Sequence, residues 1–303
     1  MSHTVITQLI NQLEHILLGK PLQIKLAVAC ILAKGHLLIE DLPGMGKTSL
    51  SHAIATSLGM SYQRIQFTSD MLPADILGVS IYDKTQQQFT FHKGPVFNQM
   101  LLADEINRAS PKTQSALLEA MAEQQITQDG TTYPLPNPFF VIATQNPQDQ
   151  SGTFALPESQ LDRFMMRISI GYPSPEAEMT MLKNQQHGHK QAPIQQCISP
   201  SDLLTLQAEV NQVSTSDAVL KYLLALVEMS REQKQATGLS PRASLALLQA
   251  AKAWAVIDQR NYLVPEDIQA VFHAVAEHRI SAHSIFQGKA LSDTLLASVN
   301  PIR

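Results

Sequence analysis

The residues with the clearest chemistry lie in a glycine-rich segment, HLLIEDLPGMGKTSL, at positions 36–50. An apolar run leads into the glycine turn and a helical pattern follows it, which is the context that a phosphate-binding loop requires. Lys47 can reach the β and γ oxygens of a nucleotide, and the Thr48 hydroxyl can hold Mg²⁺. We predict nucleotide binding by Pro43, Gly44, Met45, Gly46, Lys47, Thr48 and Ser49. The strict motif has glycine where this chain has Asp41, and a chance glycine turn is the alternative.

A second apolar run, in FNQMLLADEINRA at positions 97–109, ends in an acidic pair, Asp104-Glu105. Phosphoryl transfer needs one group that places the metal and another that orients the attacking water, and two successive carboxylates can divide these tasks. We assign Asp104 to the metal shell, together with Thr48, and Glu105 to the general-base or water-orienting role. A surface acidic pair at the end of a strand is the alternative, which the phosphate loop upstream disfavours.

Two residues further along the chain suit the sensing of a γ-phosphate. Asn146 follows the apolar run FFVIAT and could orient the water from the edge of the sheet. Arg242, in SPRA, stands at the start of a helical pattern, so its guanidinium could couple hydrolysis to movement between domains. A turn asparagine and a solvated helix arginine are the alternatives.

The elements that must position these residues follow an α/β pattern in residues 1–173, with a mostly parallel sheet. The predicted strands are His36–Ile39, Tyr62–Phe67, Gln99–Ala103, Phe139–Thr144 and Met165–Ile170, with helices such as Lys47–Leu58 and Pro111–Glu123 between them. Polar turns within Ser80–His92 and Gln125–Pro134 indicate two β-hairpins that project from the core.

Strand patterns fade after residue 173, where a polar stretch precedes a run of helical patterns. We therefore predict a nucleotide-binding core at 1–173, a linker at 174–199 and a small helical domain at 200–303. Ser240 with Pro241, and Pro265 with the acidic residues after it, are typical helix starts.

Composition and charge exclude several classes of protein. The formal net charge is −4 and neither half of the chain is basic, so we expect no direct binding to nucleic acid. Cys30 and Cys197 lack metal or redox spacing, which indicates a reducing cytoplasmic compartment. No apolar run approaches the ~20 residues of a spanning helix, and the N-terminus lacks a signal-peptide pattern, so we expect no membrane span.

Four longer motifs closely resemble the MoxR family of AAA+ ATPases: EDLPGMGKT, LLADEINRASPKTQSALLEAMAE, ATQNP with the following ALPESQLDRF, and GLSPRASLALLQAAKAWA. The resemblance covers nearly the whole chain. It implies a P-loop AAA+ core with a parallel sheet and inserted β-hairpins, plus a small C-terminal all-α lid domain. It also implies a homo-oligomeric ring, usually a hexamer, that binds ATP and Mg²⁺ between neighbouring subunits.

The same resemblance suggests roles for residues outside the two phosphate motifs. Arg163, in LDRF, looks like an arginine finger that is offered to the γ-phosphate of the neighbouring subunit. A structural arginine that pairs with Asp162 or Glu158 is the alternative. Leu18-Gly19, in ILLGK, resembles the stretch that lies against adenine, and a plain helix end is the alternative.

The two predicted hairpins resemble insertions that face the ring axis or a partner in this family. Phe89 and Phe91 lie at alternate positions of the first hairpin, where they could grip a client protein. Aromatic residues in such positions more commonly pack against the base of their own hairpin.

These observations together predict a MoxR-like AAA+ ATPase that hydrolyses ATP to remodel, mature or assemble a partner protein. The resemblance implies a partner with a von Willebrand factor A domain. A nucleic-acid motor would carry basic hairpins, yet Lys84 is the single permanent cation in Ser80–His92 and Gln125–Pro134 has none. A non-hydrolysing scaffold would lack the base or the finger, yet Glu105 and Arg163 are both present.

Overall fold

A five-stranded parallel sheet carries the predicted phosphate loop. The computed structural model describes residues 2–85, 87–147, 152–186, 193–233, 237–280 and 290–301. The described strands are β1 (Leu37–Glu40), β2 (Tyr62–Gln66), β3 (Gly78–Asp83), β4 (Gln88–Lys93), β5 (Met100–Asp104), β6 (Gln125–Gln128), β7 (Thr131–Pro134), β8 (Phe140–Gln145) and β9 (Met166–Ile168). The order in the sheet is β2-β5-β8-β1-β9, whereas β3–β4 and β6–β7 form separate antiparallel hairpins.

The five predicted strands of the sheet are confirmed, each with bounds within two residues of those observed. The inner strands are buried on both faces, which gives them unbroken apolar sequences that are easy to recognise. β2 lies at the edge and is more polar, because much of it is exposed. Both predicted hairpins are also present.

The helices cover the sheet and make up the C-terminal part of the chain. Those that the structure describes are α1 (Ser2–Ile16), α2 (Pro21–Leu32), α3 (Lys47–Ser57), α4 (Pro73–Leu77), α5 (Pro111–Glu123), α6 (Glu158–Leu161), α7 (Pro175–Gln186), α8 (Pro200–Gln212), α9 (Asp217–Glu232), α10 (Pro241–Ile257), α11 (Pro265–Ile280) and α12 (Leu291–Ser298). The predicted start of α10 is confirmed, because the Ser240 hydroxyl accepts a hydrogen bond from the Ala243 N–H at 3.1 Å.

Side chains that alternate along the strands contribute to two hydrophobic cores. In β1, Leu37 and Ile39 pack into one core and Leu38 into the other. The first core also contains α1, α2 and the buried faces of α8 to α11, so the helical part is packed directly against the sheet. The second core lies on the opposite face of the sheet and includes the apolar side of α5.

The segment predicted as a linker, 174–199, begins with the helix α7, and its residues 187–192 lie outside the described residues. Its last residues pack against the sheet part of the chain. The N–H groups of Cys197 and Ile198 donate to the carbonyl of Ser57, at 2.8 and 3.1 Å. The division of the chain at residues 173 and 200 stays a prediction.

The second hairpin lies along the base of the first, with its turn residue Asp129 beside Ser80. The rings of Phe91 and Tyr133 stack with centroids 4.5 Å apart, and the Ser80 hydroxyl donates to the Asp129 carboxylate at 2.5 Å. Phe91 therefore packs at the hairpin base, as the alternative prediction held for both aromatic residues. Phe89, in contrast, is 71% exposed and touches Tyr82 across the strand pair.

Among the described helices, none combines the length and the apolar character that crossing a membrane requires.

Candidate functional site

The phosphate loop joins β1 to α3, so the helix N-terminus opens at the carboxyl end of the sheet. Gly44 and Gly46 adopt left-handed φ values of 83° and 86°. A Cβ on Gly44 would meet no atom within 4 Å, which leaves the space above this turn open. The loop therefore needs glycine for its backbone conformation and presents an open concavity in which N–H groups can surround an anion. Thr48 and Ser49, in the first turn of α3, are exposed beside it.

Asp41, which replaces the glycine of the strict motif, has a structural task. Its carboxylate accepts hydrogen bonds from the N–H groups of Ile170 and Gly171, each at 2.6 Å, and from the Ser169 hydroxyl at 3.2 Å. These bonds fasten the start of the loop to the chain that follows β9. Asp41 thus fixes the start of the loop in place, and the turn at Gly44 and Gly46 keeps its left-handed conformation.

Lys47 is buried at the start of α3, and its ammonium group donates to the carbonyl of Asp41 at 2.8 Å. Desolvation by burial lowers the pKa of Lys47, and the negative charges of Asp104, Asp41 and Glu105 raise it. The lysine and the acidic pair are consequently close enough to interact electrostatically, as a phosphate site with a metal-binding carboxylate requires.

The Asp104 carboxylate, at the end of β5, is held on both sides. One oxygen accepts from the Thr144 hydroxyl at 2.5 Å, and the other accepts from the Arg64 guanidinium at 2.7 and 3.1 Å. Arg64 extends from the neighbouring edge strand β2 and its side chain is about half exposed. This carboxylate is therefore fixed in place before any cation binds, and a cation there would share it with Arg64.

Glu105 follows directly and has an unusual backbone conformation. Its φ of 56° lies in the left-handed region, which is uncommon for a residue other than glycine and is concentrated at functional sites. The Thr144 hydroxyl accepts a hydrogen bond from the Glu105 N–H at 2.9 Å, and the Arg108 guanidinium pairs with the Glu105 carboxylate at 3.0 Å. Both acids of the pair are thus matched with an arginine.

Asn146 lies between the acidic pair and the phosphate loop. It follows β8, which stands between β5 and β1, and it is buried. Its carbonyl accepts from the Asn107 side chain at 3.4 Å. The carboxyl ends of adjacent parallel strands are where ligands bind in such sheets, so the three predicted sets of residues meet at one edge.

The N-terminal segment approaches the same loop. A Cβ on Gly46 would come within 3.0 Å of the Leu17 side chain, which places the end of α1 against the phosphate loop. Leu18 and Gly19 follow, and Gly19 has a φ of 73° beside Ala177 of α7. Leu18 and Gly19 thus lie near the phosphate loop, and their contact with adenine stays a prediction.

The predicted arginines lie at the other end of the sheet. Arg163 precedes β9, and its guanidinium donates to the Leu118 carbonyl at 2.8 Å. Burial lowers the pKa of His36, which directly precedes β1, and the positive charge of Arg242 lowers this pKa further, so Arg242 lies near that end as well. A strand rises ~3.3 Å per residue, so the two ends of β1, from His36 to Asp41, are about 16 Å apart. One chain therefore does not bring these arginines to its own phosphate loop.

The alternative role of Arg163 as a partner of Asp162 or Glu158 finds no support among the described ion pairs, where Asp162 pairs with Arg279 at 2.6 Å. Three residues at the site escaped the sequence analysis: Arg64, Arg108 and Thr144. Thr144 ends the apolar run FFVIAT, and Arg108 stands three residues after Glu105. Their positions next to predicted site residues could therefore have identified both from the sequence. Arg64 could not be identified in this way, because its pairing with Asp104 depends on how β2 lies beside β5.

Comparison with known proteins agrees with this geometry. Residues 36–166 match the family model described as ATPase family associated with various cellular activities (AAA), and residues 227–297 match the AAA lid domain. A crystal structure of a protein assigned as an ATPase, from Cytophaga hutchinsonii, superposes with a TM-score of 0.88 at 37% identity, covering 99% of this chain and 95% of that one.

Two curated relatives also match over most of their length. Chaperone MoxR1 of Mycobacterium tuberculosis is 39% identical over 89% of this chain and 74% of its own. The uncharacterized protein YeaC of Bacillus subtilis is 43% identical over 93% of this chain and 88% of its own. With the parallel sheet, the phosphate loop and the helical lid in place, the chain belongs to the MoxR family of AAA+ ATPases.

Proposed function

We propose that this chain hydrolyses ATP with Mg²⁺ at sites that neighbouring subunits of a ring complete for one another, and that the ring remodels a partner protein. One observation carries the proposal. Lys47 and the acidic pair lie at the carboxyl ends of the strands, whereas Arg163 and Arg242 lie at the opposite end of the same sheet. A phosphate site with its arginines therefore needs two copies of the chain.

The residues around the phosphate loop fit ATP and Mg²⁺. The open turn at Gly44 leaves room for phosphate oxygens, and the exposed Thr48 hydroxyl and the Asp104 carboxylate are oxygen ligands of the kind that Mg²⁺ prefers. Bound Mg²⁺ would neutralise charge on the β and γ oxygens. Lys47 lies at the same place, where burial lowers the pKa of its ammonium group and the nearby carboxylates oppose that lowering.

In this mechanism Glu105 orients a water molecule for in-line attack on the γ-phosphate and accepts its proton. Asn146, from the adjacent strand end, holds the same water. Glu105 must exchange its bond to Arg108 for one to water. The Arg108 side chain is half exposed, so its guanidinium can be solvated by water after the exchange and is not left buried without a partner. The neighbouring subunit supplies Arg163 and Arg242 to stabilise the charge that spreads over the γ-phosphate.

The proposed ring is a hexamer, as the resemblance to this family implies, and the hairpins provide a surface for a client. Phe89, which is 71% exposed, is the most exposed of the large apolar residues described in the first hairpin, where Val79, Ile81 and Tyr82 are about half exposed, and it can contact another protein. Chaperone MoxR1, the relative from M. tuberculosis, is described as a chaperone. A protein with a von Willebrand factor A domain is the partner that we propose.

Mixed rings test whether the sites are shared. Arg163→Ala subunits should bind ATP with wild-type affinity but lose about 10³- to 10⁵-fold in turnover. Lys47→Ala subunits should bind no ATP but still present an intact Arg163. Mixing the two inactive proteins should therefore restore part of the phosphate release. If light scattering shows that mixed rings form and no activity returns, the shared site is wrong.

A further inference from the structure

A single guanidinium from the helical part holds the turn that presents Arg163. Arg279, near the end of α11, is 9% exposed, and all five of its N–H donors have acceptors. Its bonds run from Nε to the Asp162 carboxylate at 2.6 Å, from Nη2 to the carbonyls of Asp162 at 3.3 Å and Phe164 at 2.8 Å, and from Nη1 to the carbonyls of Met165 at 3.1 Å and Val275.

Four of these five bonds reach residues on either side of Arg163. Asp162 precedes it, and Phe164 and Met165 follow it, so the backbone of the turn is fixed on both flanks. The remaining bond, to Val275, anchors the guanidinium to its own helix. The planar fork of arginine is needed for this arrangement, because a lysine in the same place has three donors on one atom.

Neighbouring contacts strengthen the link between α11 and the turn. His278 lies beside Arg279 in α11, and its Nε2 is 3.1 Å from the Phe164 carbonyl. Arg163 donates to Leu118 of α5 on the other side. The turn is thus held between α11 and α5, with its arginine directed away from the phosphate loop of the same chain.

We propose that Arg279 is a positioning residue that sets where Arg163 lies relative to the phosphates of the next subunit. The inference rests on the proposed function, in which Arg163 acts across the subunit boundary. Arg279 itself touches no nucleotide. It makes the lid of one subunit part of the catalytic geometry of its neighbour, so a movement of α11 shifts the arginine finger.

Arg279→Lys in the full-length protein tests this inference, since it keeps the charge and removes the fork. Displacement of a reacting group by about 1 Å costs about a hundredfold in rate, so we expect kcat for ATP hydrolysis to fall about ten- to a hundredfold, with ATP affinity unchanged. Arg260→Lys is the matched control. Arg260 pairs with Asp267 inside the helical part, at 2.5 Å, and should keep wild-type turnover.

Mixing with Lys47→Ala subunits separates positioning from a general effect on folding. An Arg279→Lys subunit with an intact phosphate site should regain turnover when a Lys47→Ala neighbour supplies a well-placed Arg163. If Arg163→Ala is rescued in this way and Arg279→Lys is not, Arg279 acts on its own chain and the inference is overturned. If neither variant is rescued in mixed rings, the shared site itself fails, and the proposed function fails with it.

A second variant covers the case in which Arg279→Lys does not fold. Asp162→Ala removes the charged partner at a position that is a quarter exposed and should show the same loss and the same rescue. In an Arg163→Ala background, Asp162→Ala or Arg279→Lys should cause no further fall in kcat, because both act through Arg163. A further tenfold loss in that background, or wild-type turnover of both single variants, would contradict the proposal.

Discussion

At the scale of single residues, the site is organised by charge pairs that hold its acids before a nucleotide binds. Asp104 is fixed by Arg64 and Thr144, and Glu105 by Arg108. Arg64 and Arg108 are each about half exposed, so their ion pairs are weak enough to rearrange when a phosphate or a cation arrives. The arrangement orients two adjacent carboxylates, each bonded to its own arginine and neither bonded to the other.

The division of labour between the two phosphate motifs gives a prediction at this scale. Glu105→Gln should retain ATP binding and lose about 10²- to 10⁴-fold in turnover, because an amide cannot accept the proton of the attacking water. Equilibrium binding of a fluorescent ATP analogue and phosphate release measure the two effects separately. Lys47→Ala is the companion variant, in which binding itself should be lost. Normal turnover by Glu105→Gln would show that another residue is the base.

At the scale of elements, the sequence predicted the sheet well and the connections between its parts less well. The central strands could be predicted because they are buried on both faces and unbroken in apolar character. Helix starts such as Ser240-Pro241 have a local cause in capping, so they could also be predicted. The helix α7 was missed, because it lies in the segment predicted as a linker. Ala177 is its one buried residue among those described, so its sequence lacks a strong apolar stripe.

Contacts between segments that are distant in the chain could not be predicted, because they leave no periodic pattern in the sequence. The carboxylate of Asp41 bonds to residues 169–171, and the pairing of Arg64 with Asp104 depends on strand order. Such contacts join positions that are far apart in the chain, and single-sequence patterns report only local structure. The acidic pair and the glycine turn could be predicted because each is compact in sequence.

The docked hairpins give a prediction for an element. Phe91→Ala removes a ring that stacks on Tyr133 and meets Phe97 edge-on, so it should lower the free energy of unfolding by about 1–3 kcal/mol. Phe89→Ala, on the exposed side, should change it by less than about 0.5 kcal/mol. Urea unfolding monitored by circular dichroism measures both values. Equal losses would mean that the two rings are buried alike.

At the scale of the whole molecule, the ends of the sheet have different tasks. In the proposed mechanism, the residues that bind and activate the nucleotide lie at the carboxyl ends of the strands, and the arginines lie at the amino ends. Because α10 and α11 pack against the same core as the sheet, the lid and the arginine end form one continuous structure. In the proposed ring, each subunit would offer one end of its sheet to each of its two neighbours.

Stability of the molecule should depend on pH through His36. Burial lowers its pKa to about 4, and its Nδ1 accepts a hydrogen bond from the Val141 N–H at 3.1 Å, so the folded state holds the neutral form. An unfolded histidine titrates near 6.5 and binds the proton more tightly. The contribution of neutral His36 to the free energy of unfolding is therefore complete above pH 6.5. It should fall by about 3 kcal/mol as the pH drops toward 4. The pKa of buried His278 is also lowered, which acts in the same direction.

Chemical unfolding at a series of pH values checks this expectation. His36→Asn is the matched variant, because its side-chain oxygen can accept the Val141 N–H and does not titrate. The variant should show a shallower fall in the free energy of unfolding between pH 6.5 and 4. A slope equal to that of the wild type would mean that His36 is not the group responsible.

The central claim is that a phosphate site becomes active only when another subunit brings its arginines. The most direct test records ATP hydrolysis against protein concentration, with oligomer size measured by light scattering in the same samples, for the wild type and Arg163→Ala. Activity per wild-type subunit should rise as rings assemble, and the variant should assemble without activity. Equal activity per subunit in monomer and oligomer would contradict the claim and place the catalytic arginine within the same chain.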